Sequence, residues 1–378
     1  MSISPATNEF LRQRFSEYYR DAILTPPPSL AQREWGFIMF SCTPDEVRMR
    51  RHMGFLDREE MAGYIKNLLP QHAYYSTAYY EKPDAGTMAD KGWTGADLIF
   101  DLDADHIVRG SYEMMLSRVK NETIKLLDML TQELGIDPKT IELVFSGGRG
   151  YHVHVRDIAT RGWGSTERRE LIDYVCAIGI DPGAMLAGKR QAGPSWQGRF
   201  RDTLTEYIQW IGSLPQDEAM AQLTAMEGVG KESAAQFLRR KNEILAQIAE
   251  EPNPAIAKIR VLSSAITQTD GEFRKRLLAK TALADEPVTT DTKRLIRMPT
   301  SLHGGSGMRV QPLGLREIQT FDPLVDAVVF SDREVKVDAR FPLSMSILGS
   351  KYVITKGVNS VPEALAVFLC CRGIAGIA

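Results

Sequence analysis

Cysteine is scarce in this sequence, long apolar runs are missing, and neither sign of charge dominates. Of the four cysteines, Cys42 and Cys176 stand alone and Cys370 and Cys371 are adjacent. No C-x-x-C pair exists to begin a zinc ribbon, and the spacing supports no disulfide frame. The most apolar stretch, ALAVFLCCRGIAGIA, is shorter than the roughly 20 residues a membrane helix needs and contains Arg372. The opening MSISPATNEFLRQRF lacks the apolar core of a signal peptide. These absences point to a cytoplasmic chain with no membrane partner. Lys and Arg number 46 against 48 Asp and Glu, a net charge of −2. That excludes coating of nucleic acid by bulk charge and leaves room for a local basic channel.

What is present is an ordinary folded chain, 43% hydrophobic and 25% charged, with 378 residues for roughly two domains. FLRQRFSEYYRDAI (10–23) predicts an amphipathic helix, stopped by PPPSL because proline lacks the N–H that a helix needs. EWGFIMF (34–40), AYYSTAYY (73–80), ADLIFDLD (96–103), IELVFSG (141–147) and YHVHV (151–155) are short, aromatic or β-branched, and bounded by turn residues, as strands are. SYEMMLSRVKNETIKLLDMLTQELG (111–135) has apolar residues at helical spacing and a terminal glycine. From about 200 to 283 the composition is helical throughout, and strand signals return at 308–313, 334–341 and 351–357. The expected architecture is α/β (α+β). A mixed-sheet core is built from residues 1–199 and 284–378, with a helical insertion at 200–283.

One strand carries an unusual burden. In LIFDLDADH (98–106), alternation sends Leu98, Phe100 and Leu102 into a core and Asp101, Asp103 and Asp105 to the other face. Neighbouring carboxylates there lie about 6–7 Å apart at Cα. At an effective dielectric near 20 they repel by about 2–3 kcal/mol. A hard divalent cation would offset this, since Mg²⁺ prefers carboxylate oxygen and keeps positions open for phosphates. A solvated strand end explains a bare D-x-D equally well. Asp105 falls where Asp-His opens a turn.

Two further clusters stand out. In FSGGRGYHVHV (145–155), Gly147, Gly148 and Gly150 permit positive φ and close backbone approach, with Ser146, Arg149 and His152 beside them. Hydroxyl, backbone amides, guanidinium and imidazole suit the oxygens of a polyphosphate. The same residues also read as a tight hairpin with a surface arginine, and His154 reads as a structural histidine. DEPVTTDTKRLIRMPTSLHGGSG (285–307) sets Asp285 and Asp291 before Lys293, Arg294, Arg297 and His303. That order is coherent if acid holds metal and cations hold phosphate.

Together the three clusters resemble the catalytic small subunit of the archaeal/eukaryotic-type DNA primase. Its h-D-h-D motif is matched by Phe100-Asp101-Leu102-Asp103. Its S-G-x-R-G-x-H motif is matched by Ser146 to His152. Its third motif, an Asp followed by a basic residue and S-h-H-x-x-[ST]-G, is matched by Asp285, Arg297 and Ser301 to Gly307. REWGFIMF, RMRRHMGF and AYYSTAYY also resemble archaeal members. The resemblance implies that Asp101, Asp103 and Asp285 are catalytic and hold two Mg²⁺ or Mn²⁺ ions. It implies that Ser146, Gly148, Arg149, His152, Arg297 and His303 bind the nucleotide triphosphate. Asp285 is preferred to Asp291 because it lies 18 positions before His303, the family's separation. Lys293 and Arg294 are left as template or surface contacts.

The implied activity is nucleotidyl transfer: template-directed synthesis of short RNA, or DNA, on single-stranded DNA from NTPs or dNTPs. A large primase subunit would be the partner. The family's Cys/His zinc knuckle has no counterpart after Asp103, where His106 stands without cysteine, so no structural zinc is expected. RMRRH (48–52) and EFRKR (272–276) are candidate template contacts or solvated helix faces. MEGVGKESAAQFL (226–238) is similar to a helix–hairpin–helix or is a plain packing turn. The rival readings are a non-catalytic nucleic-acid-binding or scaffold subunit and a metal-dependent nuclease.

Overall fold

A computed structural model describes residues 3–42, 48–104, 110–187, 194–250 and 252–378. Asp105, His106 and residues 188–193, where the sequence texture changes, lie outside them. The chain forms two compact units. The first comprises Met1–Ile124, Asp137–Glu170 and Ala284–Ala378. The second comprises Lys125–Ile136 and Leu171–Leu283. The second unit therefore reaches back before residue 200, and it takes in the end of the helix expected at 111–135. That helix is α-helical over Tyr112–Asp128 and ends in a π-helical turn, Met129–Glu133.

Every strand among the described residues belongs to the first unit. They are β1 (Trp35–Ile38), β2 (Met49–Met53), β3 (His72–Ser76), β4 (Ala78–Tyr80), β5 (Trp93–Ala96), β6 (Leu98–Asp103), β7 (Ile141–Phe145), β8 (Gly150–Val155), β9 (Leu295–Arg297), β10 (Gln311–Leu313), β11 (Glu334–Ala339), β12 (Leu343–Ile347), β13 (Ser350–Ile354), β14 (Gly357–Pro362) and β15 (Ala375–Ile377). One antiparallel sheet runs β2-β1-β3-β9 and a second runs β10-β7-β8-β6. β4 and β5 form a separate ribbon, β12 and β13 a hairpin, and β14-β11-β15 a third sheet. The fold is α+β.

Two expected strands are each broken in two. The 73–80 segment divides at Thr77 into β3 and β4, and the 96–103 segment divides at Asp97, between β5 and β6. The breaks lie side by side, with Asp97 N donating to Thr77 O at 2.9 Å. Arg33, fully buried, explains why both occur here. Its Nη1 donates to Ser76 O and Thr77 O, and its Nη2 to Asp97 Oδ2 at 2.8 Å. Arg156 Nε and the Tyr79 hydroxyl also reach the Asp97 carboxylate, while Arg168 donates to Asp97 O and Ala96 O. Carbonyls released from the sheets are thus satisfied by guanidinium groups, as buried polar groups must be.

Other differences have local causes. The first helix starts at Pro5, not Phe10, because Ser4 caps it, accepting from Thr7 N at 3.2 Å, and proline fits its first turn. RMRRH is neither a helix face nor a loop: it lies mostly in β2, at the edge of the first sheet, where Arg51 binds the buried Glu34 (Nε–Oε1 3.0 Å). Residues 308–310 do not extend β10; they pair back on residues 300–303 through Thr300 N to Val310 O and His303 N to Met308 O. The apolar ALAVFLCC closes a helix, Glu363–Cys371, that is buried along its whole length. Its Glu363 is held by Arg14, Arg333 and Ser331. No helix among the described residues is long and apolar enough to cross a membrane.

The second unit is helical. Helix Trp196–Ser213 buries Phe200, Leu204, Tyr207, Ile208 and Ile211. Phe273 packs edge-on against Phe200 at 5.5 Å. MEGVGKESAAQFL forms a turn with Gly228 at φ +74°, then enters helix Lys231–Glu250. Arg260 Nε donates to Gly228 O at 2.6 Å, and a side chain at Gly228 would strike that guanidinium.

Candidate active site

The register of β6 on β8 brings the first two motifs together. Asp101 pairs with His152 and Asp103 with Gly150, so on one face the carboxylates alternate against a histidine and a glycine. A Cβ at Gly150 would lie 2.2 Å from Leu102 O, which is why only glycine permits this pairing. On the other face Leu98, Phe100, Leu102, Tyr151 and Val153 are fully buried. Asp285 joins from far along the chain: its backbone N donates to Asp101 O at 2.8 Å. Asp291 does otherwise, accepting from Lys293 N at 2.8 Å as a turn residue.

Burial pushes the Asp101 carboxyl up to about 7, and the charges of Asp103 and Asp285 add to the shift. Arg294 and Arg297 act in the opposite direction. Arg294, expected as a template or surface contact, is thus close enough to bear on Asp101 and His152. Among the described residues no three His, Cys, Asp or Glu side chains are gathered so as to hold a metal ion by themselves. Asp101 and Asp103 share one face of β6, and carboxylate oxygen is the donor type that Mg²⁺ and Mn²⁺ take.

The second and third motifs meet in a turn-against-turn contact. Ser146 N donates to Gly150 O at 2.9 Å and closes the loop that carries Gly147, Gly148 and Arg149. Gly147 has φ +75°, and a Cβ there would lie 2.7 Å from His303 Cβ. A Cβ at Gly148 would lie 3.0 Å from His303 Nε2. Ser306 Oγ donates to Gly147 O, and Tyr112 OH donates to Gly148 O at 2.6 Å. Gly305 N donates to His303 Nδ1 at 3.1 Å, which leaves the ring proton on Nε2, the nitrogen facing Gly148.

Burial disfavours the charged form of both His152 and His303. Burial lowers His152 to about 3, helped by Arg297 and Arg294, and lowers His303 well below the usual imidazole range. His152 Nε2 lies 3.7 Å from Asp101 Oδ1. Positive charge in this region therefore comes from arginine, and the imidazoles act through hydrogen bonds.

Arg297 lies on β9 beside Tyr74 of β3. Its Nη1 sits 2.7 Å from His72 Nδ1 and donates to Tyr74 OH at 3.0 Å. His72 and the buried Asp97 network were not foreseen as parts of the site's support. The signal for His72 was available: it immediately precedes AYYSTAYY, and strand alternation puts residues 72 and 74 on one face.

Comparison with known proteins agrees with this geometry. A family profile described as DNA primase small subunit matches residues 100–315, from the aspartate strand through β10. The chain belongs to the DNA primase small subunit family. The protein called DNA primase small subunit PriS in Methanoregula boonei is 68% identical over 376 residues, covering 100% of both chains. Its counterpart in Methanosphaerula palustris is 52% identical, with 99% of each chain covered. In this primase small subunit all the matched motif residues lie in the first unit, contributed by segments on both sides of the helical insertion. A solved structure described as the polymerase domain of Mycobacterium tuberculosis ligase D in complex with DNA aligns with a TM-score of 0.36 at 12% identity, covering 85% of this chain and 89% of the other. At that level it bears on neither fold nor chemistry.

Proposed function

We propose that this chain is the catalytic subunit of a DNA primase, joining nucleotides into short RNA or DNA primers on single-stranded DNA. The observation that carries the reading is the meeting of a carboxylate wall with a glycine–arginine–histidine turn in one unit of a chain of the primase small subunit family. Asp101, Asp103 and Asp285 would hold Mg²⁺ or Mn²⁺. When bound, such ions supply Lewis-acid activation of a 3′-hydroxyl and neutralise triphosphate charge.

The chain's own groups would do the rest. The Gly147–Gly148 backbone allows close approach of phosphate oxygens. Arg149, Arg294 and Arg297 offer fixed positive charge, and arginine can grip phosphate through two parallel hydrogen bonds. His303 offers an Nε2 proton in a set direction, and Ser146 a hydroxyl. The 3′-hydroxyl would give up its proton to water, its oxygen would attack the α-phosphorus, and the bond from that phosphorus to the α–β bridging oxygen would break, releasing pyrophosphate. Donors fixed in advance around that leaving group cost no reorganisation at the moment of reaction. A large primase subunit would strengthen template binding, which a net charge of −2 leaves weak.

Incubation of the purified chain with single-stranded DNA, NTPs or dNTPs, and Mg²⁺ or Mn²⁺ tests the reading. New oligomers are expected. Degraded template would favour a nuclease, and binding without either product would favour a scaffold subunit.

A further inference from the structure

We propose that His72 is a positioning residue: it holds Arg297 and the His303–Gly304–Gly305 turn in one fixed arrangement and so presets the nucleotide site. This rests on the primase reading. A guanidinium and a backbone amide can only donate. Nδ1 of His72, 2.7 Å from Arg297 Nη1 and 3.3 Å from Gly304 N, is therefore the acceptor for both, and the ring proton lies on Nε2. The imidazole meets His303 edge-on, with ring centroids 5.3 Å apart. One side chain thus touches an arginine from β9 and the turn that orients His303.

The backbone around it is built for this contact. A Cβ at Gly304 would lie 2.6 Å from Gln71 O and 2.7 Å from His72 Nε2, so glycine alone lets the turn approach the start of β3 so closely. Gln71 Nε2 donates to Gly304 O at 3.2 Å. Both polar groups of Gly304 are therefore taken by neighbours of one strand. Tyr74 OH completes the hold on Arg297. A guanidinium held by two side chains loses less conformational freedom when it meets phosphate, which is the source of the affinity gain. Protonation of His72 would remove the acceptor and set two cations together. Burial and the neighbouring Arg297 keep it neutral, lowering it to about 3.

Two substitutions separate positioning from packing. His72→Phe keeps the ring without the acceptor; His72→Asn places an oxygen near the position of Nδ1. On the full chain, His72→Phe should raise the KM for nucleotide about tenfold, the scale of one hydrogen bond to a charged group. kcat should stay within about threefold and template affinity should not change. His72→Asn should return KM to within about threefold of wild type. An unchanged KM in His72→Phe overturns the inference. So do equal losses in both variants with a matching fall in melting temperature. Equilibrium binding of ATP alone distinguishes the two readings. A wild type that makes no oligomers refutes the primase reading, yet ATP binding weakened by Phe and restored by Asn still supports His72. A wild type that binds no ATP overturns both.

Discussion

Asp97 and Asp101 stand four positions apart on the same stretch of chain, and the fold treats them in opposite ways. The Asp97 carboxylate is buried and surrounded by Arg33, Arg156 and the Tyr79 hydroxyl. Asp101 is pushed up to about 7, first by burial and then by the charges of Asp103 and Asp285, with Arg294 and Arg297 acting the other way. One charge is complete within the protein. The other shares its surroundings with two further carboxylates as well as two arginines. Placing Asp103 and Asp285 where their charges bear on Asp101 costs stability, since each ionisation works against the next. Under the proposed function, a divalent cation bound at Asp101 would relieve that repulsion, whereas Asp97 already has its positive partners within the protein.

The sharpest way to break this comparison is to make the same substitution at both positions. Asp101→Asn should cut primer synthesis by at least about 10³-fold, because metal stabilisation contributes several kcal/mol and 1.36 kcal/mol is tenfold. Its melting temperature should hold or rise, because a desolvated carboxylate is removed. Asp97→Asn should do the reverse. It leaves Arg33 buried with a weakened partner, at a cost of about 3–5 kcal/mol in chemical denaturation. If Asp97→Asn leaves stability unchanged, or Asp101→Asn leaves synthesis near normal, the distinction between the two aspartates fails.

Part of this was legible in the sequence. Alternation in LIFDLD and the glycines of FSGGRG place a carboxylate face and a phosphate-suited turn, because strand and turn chemistry are local. Two features were not. The breaks at Thr77 and Asp97 occur among residues that suit strands well; what bends the chain is Arg33, more than 40 positions from Thr77 and more than 60 from Asp97. Likewise the contact of Gly147 with the His303–Ser306 turn spans 159 positions and has no sequence periodicity to announce it. That RMRRH lies in a strand rather than a helix was hidden for a third reason: an edge strand with exposed side chains carries no apolar alternation to mark it.

A smaller effect separates nucleotide binding from the acidic wall. Arg149→Ala and His303→Ala should each weaken nucleotide use by about one to two orders of magnitude, from charge-assisted hydrogen bonds of roughly 1.5–3 kcal/mol. Template binding should hardly change. Nucleotide titrations and template-binding curves on the same variants decide it. Loss of template affinity with nucleotide affinity intact would move both residues to the nucleic-acid channel.

The finest probe of the contrast is pH. Asp101 is raised in the folded chain from an ordinary 3.8 to about 7, so the folded state holds this proton more tightly than the unfolded state. That preference favours folding fully below about pH 4 and is lost as pH rises toward 7, by at most about 1.4 kcal/mol per pH unit. Without divalent ions, the wild type should therefore lose stability relative to Asp101→Asn between about pH 4 and 7, and the difference should level off above 7. Mg²⁺ or Mn²⁺ competes with the same proton, so the rise in melting temperature on adding either ion should be larger at pH 8 than at pH 6. Asp101→Asn should show little of that pH dependence. Parallel melting curves of wild type and variant, with and without the ion, measure both trends. A cation effect equal at the two pH values would mean that Asp101 is not where proton and metal compete, and the contrast with Asp97 would have to rest on the synthesis data alone.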